Sequence, residues 1–191
     1  MKRVNFIVLS ALAFSWAVLA PPLPAEFVYV ANIVANNISG YTLDPANGAL
    51  TPMVAAFPTG KQPIGIAIDP TSRFCYVVNS GDNTVSGYDI AKKTGALTAI
   101  PGSPFVTGAV PFAVAVDPLS RFVFVVNVSS ESVSAYKIDA QNGALTQVTG
   151  SPFQTPAGAE SISVDPKAEF LYAAAGANTV LGYAIGARQG H

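Results

Sequence analysis

Residues 111–150 read PFAVAVDPLSRFVFVVNVSSESVSAYKIDAQNGALTQVTG. The stretch holds four short apolar runs parted by turn signals. In the first, Phe112, Val114 and Val116 alternate with Ala113 and Ala115, so large side chains share one face and small ones the other. Residues 122–126 are continuously apolar, the pattern of a strand covered on both faces. The third run covers residues 132–138. Gln141-Asn142-Gly143 then supplies a glycine turn before the fourth run at 144–148. Asp117-Pro118 opens the turn between the first two runs, because proline presets φ and aspartate can bond the backbone ahead of it.

The rest of the chain repeats this stretch. Phe27, Phe74, Phe122 and Phe170 open FVYVAN, FCYVVN, FVFVVN and FLYAAA, at steps of 47, 48 and 48 residues. Tyr41, Tyr88 and Tyr136 follow fourteen residues on and Tyr183 thirteen, and Asp69, Asp117 and Asp165 recur before proline. The runs are strand length and rich in Val, Ile, Phe and Tyr. Four antiparallel strands in a repeat of this period describe a β-propeller blade. The small residues Gly65 and Ala67, Ala113 and Ala115, Ser161 and Ser163 suit innermost strands crowded round a central axis. The fold class is therefore all-β, with repeats starting near 27, 74, 122 and 170.

The first repeat is expected to begin at its second run, with no inner strand before Phe27 unless residues 21–26 serve. The last is expected to stop inside or just after its third run, near Ile185. That gives fourteen strands, or about three and a half blades. An open fan leaves apolar faces and an unpaired edge uncovered, which invites self-association.

Lys2 and Arg3 precede an apolar run over residues 6–20, the build of a secretory signal. This run is shorter than the roughly 20 residues that span a bilayer, so no stable membrane span is expected. The chain divides into a signal peptide at 1–25 and a partial propeller at 26–191, secreted or periplasmic. Half the residues are hydrophobic, 11% are charged and the net charge is −1. A chain with no basic patch is a poor partner for nucleic acid. The one cysteine, Cys75, stands where sister repeats carry Val28, Val123 and Leu171, and reads as a small buried hydrophobe.

No Gly-x-Ser-x-Gly elbow, phosphate loop or metal-spaced His/Cys cluster occurs, so no cofactor or metal is expected. Scaffold needs sameness between repeats, whereas chemistry needs one asymmetric site, so candidate residues are those that break the repeat. Glu160 replaces the large apolar Ile64 and Phe112 at the entrance to an inner strand. Burial there would raise its pKa and suit a general acid or base; a solvent-open position is the bland alternative. Lys61 and Gln62 lie in the loop entering the second repeat, where a cation could bind a carboxylate or phosphate, or simply be solvated. Asp82 and Glu131 lie in the loops after the second run and read as rim charges. Asn32, Asn79 and Asn127 close the second run and are expected to satisfy backbone groups at a turn. Asn37-Ile38-Ser39 and Asn127-Val128-Ser129 match glycosylation acceptors.

The FVYVAN-type strand, the Ser-Gly-Tyr of the third run, the Asn-Gly-Ala-Leu-Thr turn, Gly-Ser-Pro-Phe at Gly102 and Gly150, and Val-Asp-Pro together resemble one family. It is the lactonase-type seven-bladed β-propellers, which include 6-phosphogluconolactonase-like proteins and share their blade with Tyr-Val-Thr-Asn repeat proteins. The resemblance covers residues 27–185 and implies hydrolysis of a sugar lactone such as 6-phosphogluconolactone. Two other readings stay open. One is a non-catalytic exported binding or surface module, with a small-molecule or protein ligand on the loop rim. The other is a truncated fragment without independent activity.

Overall fold

The computed structural model describes residues 17–19, 26–176 and 178–186. Most of the expected leader, the sole histidine His191 and the last arginine Arg188 lie outside the described residues.

Four antiparallel sheets follow one another along the chain. The first runs β1 (Ala17–Leu19), β2 (Glu26–Asn32), β3 (Asn37–Leu43) and β4 (Leu50–Pro52), with β5 (Phe57–Pro58) on the other end of β3. The second runs β6 (Pro63–Ile68), β7 (Phe74–Asn79) and β8 (Thr84–Ile90), which pairs both β9 (Leu97–Ala99) and β10 (Phe105–Val106). The third repeats this as β11 (Pro111–Val116), β12 (Phe122–Asn127), β13 (Ser132–Ile138), β14 (Leu145–Gln147) and β15 (Phe153–Gln154). The fourth has β16 (Ser161–Val164), β17 (Phe170–Ala175) and β18 (Thr179–Ala184). The architecture is the expected series of propeller blades.

Two expectations need correction. The first repeat does have an inner strand: β1 pairs β2, with Ala17 opposite Val30 and Leu19 opposite Val28. The free edge of β2 is a row of unpaired backbone donors and acceptors, and the nearby apolar run fills it. The sequence reading assigns that run to the leader instead. The fourth run of each complete repeat forms the expected strand, but a second short strand that the sequence reading does not foresee follows it. Each outer edge is broken, so that β13, for example, pairs β14 at Tyr136–Ile138 and β15 at Ser132–Val133. A proline sits in each gap of the second and third sheets, at Pro104 and Pro152, and proline cannot donate to a ladder.

The core lies between sheets. Alternate residues of a strand point to opposite faces, so Phe74, Tyr76 and Val78 of β7 pack on Val123 and Val125 of β12. Cys75 and Val77 pack backwards on Phe27, Tyr29 and Ala31 of β2. Phe124 and Val126 meet Leu171 and Ala173 in the third junction. Cys75 is fully buried in this apolar layer, as expected. Burial, and secondarily the Asp69 charge, raises its thiol pKa and keeps the sulfur protonated. The small residues of the inner strands permit the close approach foreseen. A Cβ on Gly65 would lie 2.9 Å from the Phe112 carbonyl oxygen of the next blade.

Hydrogen bonds across each junction fix the packing. Tyr29 donates its hydroxyl to the Gly95 carbonyl at 2.6 Å, and Tyr76 donates to Gly143 at 2.8 Å. In the other direction Tyr88 donates to Pro58, Tyr136 to Val106 and Tyr183 to Gln154. Arg73 donates to the carbonyls of Ala140 and Gln141, and Arg121 to that of Ala168. Both arginines thus tie one blade to the next.

The Asp-Pro aspartates are turn anchors. Asp69 and Asp117 are fully buried. Asp69 accepts from the amides of Thr71, Arg73 and Phe74, and from the Thr71 hydroxyl. Asp117 accepts from the amides of Arg121 and Phe122 and pairs with the Arg121 guanidinium. Asp165 accepts from Lys167, Glu169 and Phe170. That amide cradle, with the Phe170 bond foremost, lowers its pKa.

Candidate functional site on the loop rim

Antiparallel hairpins alternate their turns between two ends. At one end the loops after β2, β7, β12 and β17 meet the loops that enter each inner strand. Within a blade the two loops are zipped by backbone bonds: Ser80 and Gly81 donate to Gln62 and Lys61, and Val128 and Ser129 donate to Val110 and Ala109. Between blades, the Asn36 side-chain oxygen accepts the Gln62 amide at 2.8 Å, and Asn83 accepts that of Val110 at 2.8 Å. Gln62, Val110 and Gly158 share a left-handed backbone at this one position, with φ of 51°, 53° and 75°. Only the glycine does so without a steric cost.

Below the rim lies a buried polar knot that the sequence reading assigns wrongly. Asn79 donates to the hydroxyls of Thr84 and Ser86 and accepts from Thr59. Asn127 binds Ser132, Ser134 and Thr107 in the same way, and Asn32 binds Asn37 and Ser39. These asparagines serve mainly side chains, not the backbone of a turn. The recurring Thr and Ser around them were the available signal. Asn127 is fully buried, so its glycosylation match is inaccessible in the folded chain. Ala175 replaces the asparagine in the fourth sheet, and the Thr155 hydroxyl is left buried without a partner.

The candidate residues separate into two groups. Asp82 is committed to the scaffold: its carboxylate accepts the Lys61 amide at 2.8 Å, as the Ser130 hydroxyl accepts that of Ala109. Gln62 is likewise a loop hinge through its backbone. The Lys61 side chain is exposed. Glu131 takes the position of Asn36 and Asn83, with φ 45°, and its carbonyl accepts the Thr155 amide at 2.8 Å. Its carboxylate is exposed at the junction of the third and fourth sheets.

Glu160 lies at that same junction, in the solvent-open of the two alternatives. It is exposed rather than buried, while Ile64 is buried and Phe112 half-buried. Pro63 and Pro111 already pair with Asn79 and Asn127, with a register shift just after each. The fourth inner strand starts one step after Glu160, at Ser161 opposite Ala174, without that shift. No later sheet covers it among the described residues. The structure therefore brings two exposed carboxylates, Glu131 and Glu160, to one interblade junction, and leaves Lys61 and Asp82 at another.

A separate apolar pocket of about 310 Å³ lies between the third and fourth sheets, against Phe122, Phe124, Leu171 and Tyr183. The Tyr183 hydroxyl there is already bonded to Gln154. Such a lining offers a sugar-like molecule few polar partners. No group of three or more His, Cys, Asp or Glu able to hold a metal occurs among the described residues.

Comparison places these blades among known proteins. The family profile described as lactonase, 7-bladed beta-propeller, matches residues 24–110. A candidate 6-phosphogluconolactonase from Bacteroides uniformis superposes with a TM-score of 0.75 at 15% identity, over 88% of this chain and 51% of its own. Another from Bacteroides fragilis gives 0.72 at 16% identity, over 93% and 53%. The periplasmic gluconolactonase of Pseudomonas aeruginosa gives 0.71 at 14% identity, over 88% and 50%. The chain thus spans about half the length of these structures. At such identities the likeness is one of fold. No curated protein matches the chain by sequence.

Proposed function

We propose that this chain, whose residues 24–110 match the lactonase seven-bladed β-propeller profile, is an exported lactone hydrolase acting on a sugar lactone at its loop rim. The observation that carries this reading is Glu160, an exposed carboxylate where the repeat otherwise places Ile64 and Phe112. In this reading Glu160 takes a proton from a water molecule as the water oxygen attacks the lactone carbonyl carbon. The ring C–O bond then breaks, and the proton passes to the leaving alkoxide to give the open hydroxy acid. Glu131, on the same junction, would hold substrate hydroxyls. Lys61 would attract an anionic group of the substrate, with Gln62 and Asp82 shaping the loop that presents it. The names of the gluconolactonase-like relatives support the substrate class. Lys2, Arg3 and the apolar residues 6–16 ahead of β1 support export. The test is lactone opening by the full chain and by Glu160→Gln.

One observation favours a second reading, a non-catalytic binding module on the same rim. Asp82 is spent on pinning the Lys61 amide and Gln62 on the loop backbone, so these positions serve the scaffold first. Under that reading Glu160→Gln leaves lactone turnover at the buffer rate.

A further inference from the structure

The first, second and fourth blades carry a hook on one face, and the first three carry a socket on the other; the third blade has Phe122 and Phe124 at the hook positions. The hook is a Phe and a Tyr two residues apart on the second strand; the socket is the glycine turn before the outer strand of the next blade. At the first junction Phe27 and Tyr29 are buried, and Tyr29 binds the Gly95 carbonyl. A Cβ on Gly95 would lie 2.5 Å from the Phe27 ring. At the second junction Phe74 and Tyr76 meet Gly143 with the same bond and the same 2.5 Å approach.

The two ends of this series are left over. Phe170 and Tyr172 repeat the hook on β17, each 43% exposed. Val180 beside them is 66% exposed, whereas its counterparts Ile38, Val85 and Val133 are fully buried. Gly48 repeats the socket, with φ 76° like Gly143, and nothing lies within 4 Å of where its Cβ would be. Leu50 behind it is 43% exposed, against 8% for Leu145. Glu169 replaces the arginines Arg73 and Arg121 at the hook, but the first junction already holds with Glu26 in that place.

We infer that the Phe170–Tyr172–Val180 face takes the Gly48–Leu50 end of a second copy of this chain, with Tyr172 donating to the Gly48 carbonyl. The contact is head to tail, and a twofold repeat of it closes a ring of two chains. Four sheets from each copy make eight, within the range of closed propellers. The backward tyrosine bond has no counterpart here, because β18 is the outermost strand of the fourth sheet among the described residues. The contact rests on the hook and its apolar cover.

The experiment is light scattering of the full chain across a concentration series, alongside Val180→Arg and Leu50→Arg. Both substituted side chains are already exposed in one chain, and unchanged circular dichroism confirms that each variant folds. The inference expects the mass of two chains for the parent and of one chain for both variants. Equal mixing of the two variants should restore part of the dimer through the one intact junction. A parent at single-chain mass overturns it, as does a dimer that survives both substitutions or a ladder of higher masses.

Discussion

Tyr76 Oη and the Gly143 carbonyl oxygen are 2.8 Å apart, although the residues are 67 positions apart in sequence. This bond couples the second blade to the third, and Tyr29 with Gly95 repeats it one blade earlier. Burial raises the pKa of both phenols, with Asp69 adding to the effect at Tyr76 and Cys75 at Tyr29, so both remain neutral donors.

Removing the donor leaves a buried carbonyl without a partner, which costs about 1–3 kcal/mol. Tyr76→Phe is therefore expected to lower unfolding stability by that amount in a denaturant titration. Gly143→Ala should cost more. Its Cβ would sit 2.5 Å from the Phe74 ring, at a φ of 76° that L side chains rarely adopt. Equal stability of both variants with the parent would remove the interblade bond from the account.

The fourth sheet offers a paired test. Gly60 and Gly108 are required because a Cβ there would lie 2.6 and 2.7 Å from the Asn79 and Asn127 side chains. The corresponding residue is Pro156, tolerated because Ala175 has no amide to meet it. Ala175→Asn alone should destabilise by clashing with Pro156. Combined with Pro156→Gly, it should pair the orphaned Thr155 hydroxyl. The coupling in a double-mutant cycle is expected at about 1 kcal/mol or more in the favourable direction. Additive effects would show that the polar knot cannot be rebuilt there.

Asp165 gives a pH dependence whose sign follows from its amide cradle. Its folded pKa is lowered, so the stabilisation is complete above the unfolded aspartate value of about 3.9. It is lost as pH falls through the folded value. Denaturant midpoints of the parent should therefore drop between pH 6 and pH 3 by more than those of Asp165→Asn. Parallel curves for the two proteins would contradict the assignment.

The sequence alone carries the blade pattern because a strand covered on both faces must be apolar throughout, and FCYVVN and FVFVVN cannot be read otherwise. Cys75 and the small residues at Gly65 and Ala113 are legible for the same packing reason. Other features depend on partners distant in the chain. Whether an apolar run such as residues 17–19 is leader or strand turns on the edge it finds, not on its composition. The role of Asn79 depends on Thr59, twenty residues away, whose hydroxyl it accepts. Glu160 marks the asymmetric junction in the sequence, but its exposure is set by a missing register shift and by the lack of a covering sheet among the described residues, neither of which has a local signature.

The functional account stands on one carboxylate, so the most direct measurement is the opening rate of a sugar δ-lactone panel with the full chain, its Glu160→Gln variant and buffer. The account predicts turnover well above buffer for the parent, and a loss of about 10²–10⁴-fold in the variant with the fold intact. Parent turnover equal to buffer on every lactone would contradict the hydrolase reading. Parent turnover that Glu160→Gln leaves unchanged would contradict the placement of the site.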